Sequence, residues 1–142
     1  MMFSNNSKKT IFLTLDLEEW YHLEYLKKYN LDKNNKLIPE LTFFFEFLSD
    51  KNISITIFIL GELINENSEL IKEISKYHEI SIHGWNHDLL YEKTEGNFKE
   101  EIKKTKATLE DLTGKEVVGY RAPCFSMSNE KLDWLQELGI EY

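Results

Sequence analysis

A chain of 142 residues that is 42% hydrophobic and 13% aromatic holds enough apolar material for one packed core of ordinary domain size. Its 25 acidic residues outnumber 17 Lys and Arg, for a net charge of −8, which argues against nucleic acid and anionic membrane as partners because both are bound chiefly through basic side chains. No stretch reaches the roughly 20 apolar residues of a membrane span, the first apolar run (IFLTLDLEEW) meets carboxylates too early for a secretory signal, and the single cysteine, Cys124, can close no internal disulfide. The expectation is one domain over residues 1–142, beginning near Met1, cytoplasmic, without membrane insertion and suited to a neutral or basic ligand; the oligomeric state is left open.

Ile11 to Leu15 reads as a buried strand that ends in carboxylates. Tyr21 to Lys36 is polar and ambiguous. Pro39 in a first helical turn, with Leu41, Phe44, Phe45 and Leu48 on one face, predicts a helix over Glu40 to Lys51. Ile53 to Leu60 is the strongest strand signal, β-branched nearly throughout and closed by Gly61. Asn67 or Ser68 then caps a helix that turns Leu70, Ile71, Ile74 and Tyr77 toward the core, His78 falls in a polar, solvated turn, and Glu79 to His83 is a third strand. Asn97 to Leu112 carries Phe98, Ile102, Leu109 and Leu112 at helical spacing, pairs Glu100 with Lys104, and stops at Gly114. Val117 to Tyr120 is a fourth strand, a last helix runs from Ser128 or Asn129 to Gly139, and Ile140 to Tyr142 reads as the first residues of a fifth strand. This alternation predicts parallel βα units, in a barrel or an open sheet.

Both architectures gather functional groups at the C-terminal ends of strands. His83-Gly84-Trp85-Asn86-His87 sets two imidazoles four residues apart, which on a helical turn brings them about 5–6 Å apart at Cβ. Two neutral nitrogens with an anionic third ligand and an open position describe a catalytic zinc site. The strand end carrying Asp16, Glu18 and Glu19 can supply that ligand. Side chains alternate along an extended chain, so Asp16 and Glu18 share a face and Leu17 turns into the core. One carboxylate can then bind the ion while the other takes a proton from water. Arg121, held extended by the following Ala-Pro, can orient a carboxylate through a fork of hydrogen bonds. Trp20, Tyr21, Trp85 and Phe125 flank these residues and offer walls for a sugar ring or for the core. Cys124 reads as packing, and His22 as a substrate contact or a further ligand.

Three stretches in this order, LTLDLEEWYH, EISIHGWNH and GYRAPCFS, resemble the polysaccharide deacetylase family, carbohydrate esterase family 4. The resemblance implies an α/β fold, the N-terminal portion of a distorted (β/α) barrel. It also implies one divalent metal ion, zinc being the expected one, and hydrolysis of N-acetyl groups on an acetylated sugar or glycan. By position, Asp16 matches the general base, His83 and His87 the metal imidazoles, and Arg121 the residue that orients the base. Pro123 and Phe125 fall in the groove-lining third stretch, and Trp20, His22 and Trp85 are taken with them as substrate contacts. Leu17 stands where most members have a second aspartate, which makes Glu18 the expected carboxylate ligand and Glu19 the fallback. Gly84 replaces the usual Ser or Thr and is expected to loosen its loop. The wording is closest to members linked to exopolysaccharide and surface-glycan assembly. The family's later motifs, including a histidine acting as general acid, do not occur before Tyr142, so an incomplete domain is expected. Hydrolysis of a non-carbohydrate amide or cyclic ureide, as in some relatives, and a truncated non-catalytic metal- or glycan-binding domain are the rival expectations.

Overall fold

The computed structural model describes residues 10–34 and 36–142. Three parallel strands form the sheet in the order β1 (Thr14–Leu17), β2 (Thr56–Ile59), β3 (Glu79–Ile82). A fourth extended segment joins through Ile82, which donates to Gly119 O (2.9 Å) and accepts from Arg121 N (2.9 Å). Tyr142 in turn bonds with Val118 and Tyr120, so the sheet continues into the last residues with the parallel pattern. Four helices alternate with these strands: α1 (Thr42–Asp50), α2 (Ser68–Ile74), α3 (Glu95–Thr113) and α4 (Asn129–Glu137). This α/β architecture, helices alternating with parallel strands, is the class expected from the sequence. Among the described residues, no helix is long and apolar enough to cross a membrane.

Register explains which side chains meet. Leu17, Ile59 and Ile82 lie in one row, and Leu15, Ile57 and Ile80 in another, and alternation sends both rows to the same face of the sheet. There Leu17, Ile57, Ile59 and Ile82 are fully buried with Leu48, Ile71, Ile102 and Leu109 from three of the helices. The intervening row is Asp16, Phe58, Ser81, so the opposite face carries the polar chemistry.

The first strand is a correction. Its ladder begins at Thr14 and contains Asp16, whereas Ile11 and Phe12 are 87% and 88% exposed. The cause lies in the neighbour: Ile53 N is still bonded to Leu48 O at the end of α1, so β2 offers a ladder only from Thr56. Helix α1 starts at Thr42 because Ile38–Leu41, including Pro39, winds as a tighter turn. Tyr77 is exposed because α2 ends at Ile74 and leaves it out of helical register. His78 is buried rather than solvated; its N–H caps Ile74 O and its ring lies 5.8 Å from that of Phe45. That burial pushes its pKa down. Helix α3 begins two residues before the expected start, since Thr94 Oγ1 accepts from Asn97 N. It ends as expected at Gly114, whose φ of +67° suits a residue without Cβ. Lys104 is turned not to Glu100 but over the indole of Trp85, 3.6 Å from its centre.

Candidate metal centre

Asp16 sits inside β1 and Glu18 directly after it, while His83 directly follows β3. His87 arrives differently from the sequence expectation: residues 83–89 form no helical turn. Instead Gly84 (φ +87°) and His87 (φ +60°) bend the loop through left-handed conformations, and the two rings end 5.2 Å apart. For a non-glycine residue such a backbone costs about 1–3 kcal/mol. The loop is not loosened by Gly84, because Gly61 N donates to Gly84 O (2.9 Å) and Glu62 N to Trp85 O (3.0 Å). Any side chain at position 84 would be strained by that φ.

One donor atom each from Glu18, His83 and His87 lies within 4.8 Å of the others. His87 Nε2 and Glu18 Oε2 are 3.1 Å apart. This carboxylate oxygen is buried without a hydrogen-bond donor, as is His87 Nδ1. His83 Nδ1 lies 2.9 Å from Arg121 O. A carbonyl only accepts, so Nδ1 carries the proton and Nε2 presents its lone pair. Burial pushes the pKa of His87 down from the ordinary 6.5 to about 4, helped by the neighbouring His83. Burial also lowers His83 and raises Glu18, with Asp16 adding to the latter. Both imidazoles are therefore neutral at neutral pH, the form in which they ligate metals. Two neutral nitrogens and one carboxylate fit a divalent ion of the zinc type. Bond lengths of about 2.0–2.1 Å in tetrahedral geometry ask for donors roughly 3.4 Å apart, so only small side-chain closure separates this arrangement from a ligand set.

Beside it, Asp16 Oδ1 is bonded to Arg121 Nη1 (2.5 Å), and Arg121 Nη2 donates to Thr14 Oγ1 (2.9 Å). The guanidinium carbon lies 4.1 Å from the Phe58 ring centre, completing a fixed seat on the polar face of the sheet. The other Asp16 oxygen faces His83 Nε2 at 3.8 Å. Asp16 is about one-third exposed, so it remains open to solvent.

The remaining expected residues divide. Phe125 is 85% exposed on a loop where Cys124 (φ +48°) and Phe125 (φ +52°) are both left-handed. Trp20 is half-buried, with its ring 5.7 Å from Tyr21. Pro123 is buried, and a Cβ at Gly84 would lie 3.5 Å from its ring, so it packs against the histidine loop. His22 is a correction. It is buried with Nδ1 accepting from Glu19 N (2.9 Å) and Nε2 against Glu62 Oε1 (2.9 Å), which leaves no ring nitrogen for a sugar or a metal. Trp85 turns onto α3, under Lys104 and against Gly61. Glu19, the fallback ligand, is 2% exposed and accepts from Leu37 N (2.6 Å) and Ile38 N (3.2 Å). It pins the returning chain.

Sequence reasoning passed over three contributors. Thr14 anchors the second arm of Arg121, and Lys27 reaches His87 O at 2.6 Å from the segment read as ambiguous. Ser126, fully buried, accepts from Leu90 N (3.0 Å) and donates to Pro123 O (2.6 Å), stitching two site loops together. A hydroxyl two residues before a strand-end carboxylate was the available signal for Thr14; Lys27 and Ser126 carry none.

A family model described as polysaccharide deacetylase matches residues 4–142. A search of curated protein sequences found no match. Among solved structures, a family 4 carbohydrate esterase pseudoenzyme from Bacillus anthracis is 19% identical with a TM-score of 0.76, over 94% of this chain and 42% of its own. A family 4 carbohydrate esterase from Bacillus anthracis is 22% identical with a TM-score of 0.69, over 90% of this chain and 55% of its own. The peptidoglycan deacetylase PdaC from Bacillus subtilis, crystallised as a mutant, is 20% identical with a TM-score of 0.70, over 95% and 57%. The chain thus spans about half the length of these relatives and shares their fold. It belongs to the polysaccharide deacetylase family.

Proposed function

We propose that this chain carries the metal-binding and general-base side of a hydrolase that removes N-acetyl groups from an acetylated sugar or polysaccharide. The observation that carries this reading is the convergence of Glu18, His83 and His87 donors within 4.8 Å beside an arginine-held Asp16. A divalent ion bound by those three residues, zinc by the chemistry of the donors, supplies Lewis acidity toward water and the amide carbonyl. Asp16 accepts the proton of the attacking water through the oxygen that Arg121 leaves free, and that proton balances the one the sugar amine takes up as the C–N bond breaks. Arg121 acts through Asp16 by fixing its direction and stabilising its charge. Phe125 presents an exposed aromatic face on which the apolar side of a pyranose can pack.

A second reading has one observation in its favour: a relative with a TM-score of 0.76 is named as a pseudoenzyme. The same site would then bind metal or glycan without turnover. Zinc-loaded chain incubated with N-acetylglucosamine oligomers is expected to release acetate, to stop on addition of a chelator, and to leave cyclic ureides intact. Ureide hydrolysis would assign the activity to other relatives of the family. Stoichiometric metal with no turnover on any amide would leave the binding reading standing instead.

A further inference from the structure

We propose that Lys27 is a positioning residue for the metal centre, holding the backbone of His87 in the left-handed conformation that turns its imidazole onto Glu18 and His83. The inference rests on the reading of those three residues as ligands. His87 is one of four non-glycine residues with positive φ among the described residues, and its buried Nδ1 has no hydrogen-bond partner that would tie the turn down. The first half of the histidine loop is secured by the bonds from Gly61 and Glu62. The second half is secured by charge. Lys27 Nζ donates to His87 O (2.6 Å) and to Asp88 Oδ1 (3.3 Å). Asp88 Oδ2 accepts from Lys93 Nζ (3.2 Å), and Lys93, 10% exposed, is forked by Glu101 of α3 at 2.6 and 2.7 Å. Glu24 adds a contact to Lys27 at 3.1 Å. A chain of alternating charges thus runs from the segment after β1, across the turn at His87, to the middle of the longest helix.

The Lys27–Asp88 pair is exposed, and such pairs contribute little to stability, so the placement matters more than the strength. It is also placed against simple electrostatics. The Lys27 charge reaches both Glu18 and His87, and a fixed cation beside a cation site opposes metal binding. Removing that charge with no other consequence would tighten the site. Removing a group that orients a ligand weakens it, by about 10–100-fold in comparable outer positions. The two roles therefore predict opposite signs.

The test is a zinc titration of the full chain in competition with a chromogenic chelator, for wild type, Lys27→Met, Lys27→Arg and Asp88→Asn, with circular dichroism of each metal-free protein. We expect Lys27→Met to bind zinc about 10–100-fold more weakly with its metal-free fold intact. Lys27→Arg, which keeps a donor for the carbonyl, should recover most of the loss, and Asp88→Asn should weaken binding by a smaller factor. Unchanged or tighter binding in Lys27→Met overturns the proposal. Should Lys27→Met fail to fold, Asp88→Asn decides, and wild-type affinity there overturns it. Failure of the wild type itself to bind zinc would instead remove the ligand assignment on which the proposal stands.

Discussion

Alanine at His83 or at His87 is expected to abolish binding of a divalent ion, while the chain with both histidines is expected to take up one equivalent. Among the described residues, each imidazole is one of three protein donors that converge here, and a site reduced to one nitrogen and one carboxylate has too few ligands to hold zinc against water. The two substitutions act through different structural routes. His83 stands rigidly at the end of β3 with its tautomer fixed by Arg121 O, so its loss removes a preformed donor. His87 reaches the site only through a strained turn, so its loss also removes the reason for holding that turn. Metal content after equilibrium dialysis, measured by elemental analysis, checks both; near-stoichiometric metal in either variant would contradict the assignment of these nitrogens.

Asp16→Asn is the second large effect, and it should separate binding from chemistry. The amide oxygen of Asn can still accept from Arg121, and the side chain keeps its shape, so zinc content stays at one equivalent. The basic oxygen that faces His83 Nε2 is gone, and acetate release from an N-acetylglucosamine oligomer falls by about 10²–10⁴-fold, the usual worth of a positioned general base. The loss should lie in kcat with KM little altered. Equal loss of metal and activity would instead make Asp16 a ligand.

Much of the fold was legible because it rests on periodicity. The apolar runs Ile53 to Leu60 and Glu79 to His83, and the spacing of Phe98, Ile102 and Leu109, identify buried elements whatever their partners do. What was not legible depended on partners distant in sequence. The ladder of β1 slides to Thr14–Leu17 because β2 is still leaving α1 at Ile53, a fact absent from residues 11–17 themselves. His78 looks solvated in KYHE, yet tertiary packing against Phe45 buries it. The site divides along the same line. Alternation along an extended chain placed Asp16 and Glu18 together, and a four-residue spacing brought His83 near His87, although two positive φ angles rather than a helix do so. Aromatic neighbours in sequence were a poor guide to direction: Trp85 follows a metal-site residue by two positions and still turns onto α3. Glu18 and Glu19 were indistinguishable as letters. Only the backbone N–H groups of Leu37 and Ile38, which occupy Glu19, and the donor-free oxygen of Glu18 tell them apart.

Glu18, His83 and His87 are proposed to share one divalent ion. A crystal of the zinc-loaded chain, with diffraction data collected on either side of the zinc absorption edge, locates the ion without reference to activity. The expected result is a single strong anomalous peak within bonding distance, about 2.0–2.2 Å, of a carboxylate oxygen of Glu18 and one ring nitrogen from each histidine, with Asp16 next to it. A peak on Glu19 or His22, or none at stoichiometric zinc, would contradict it.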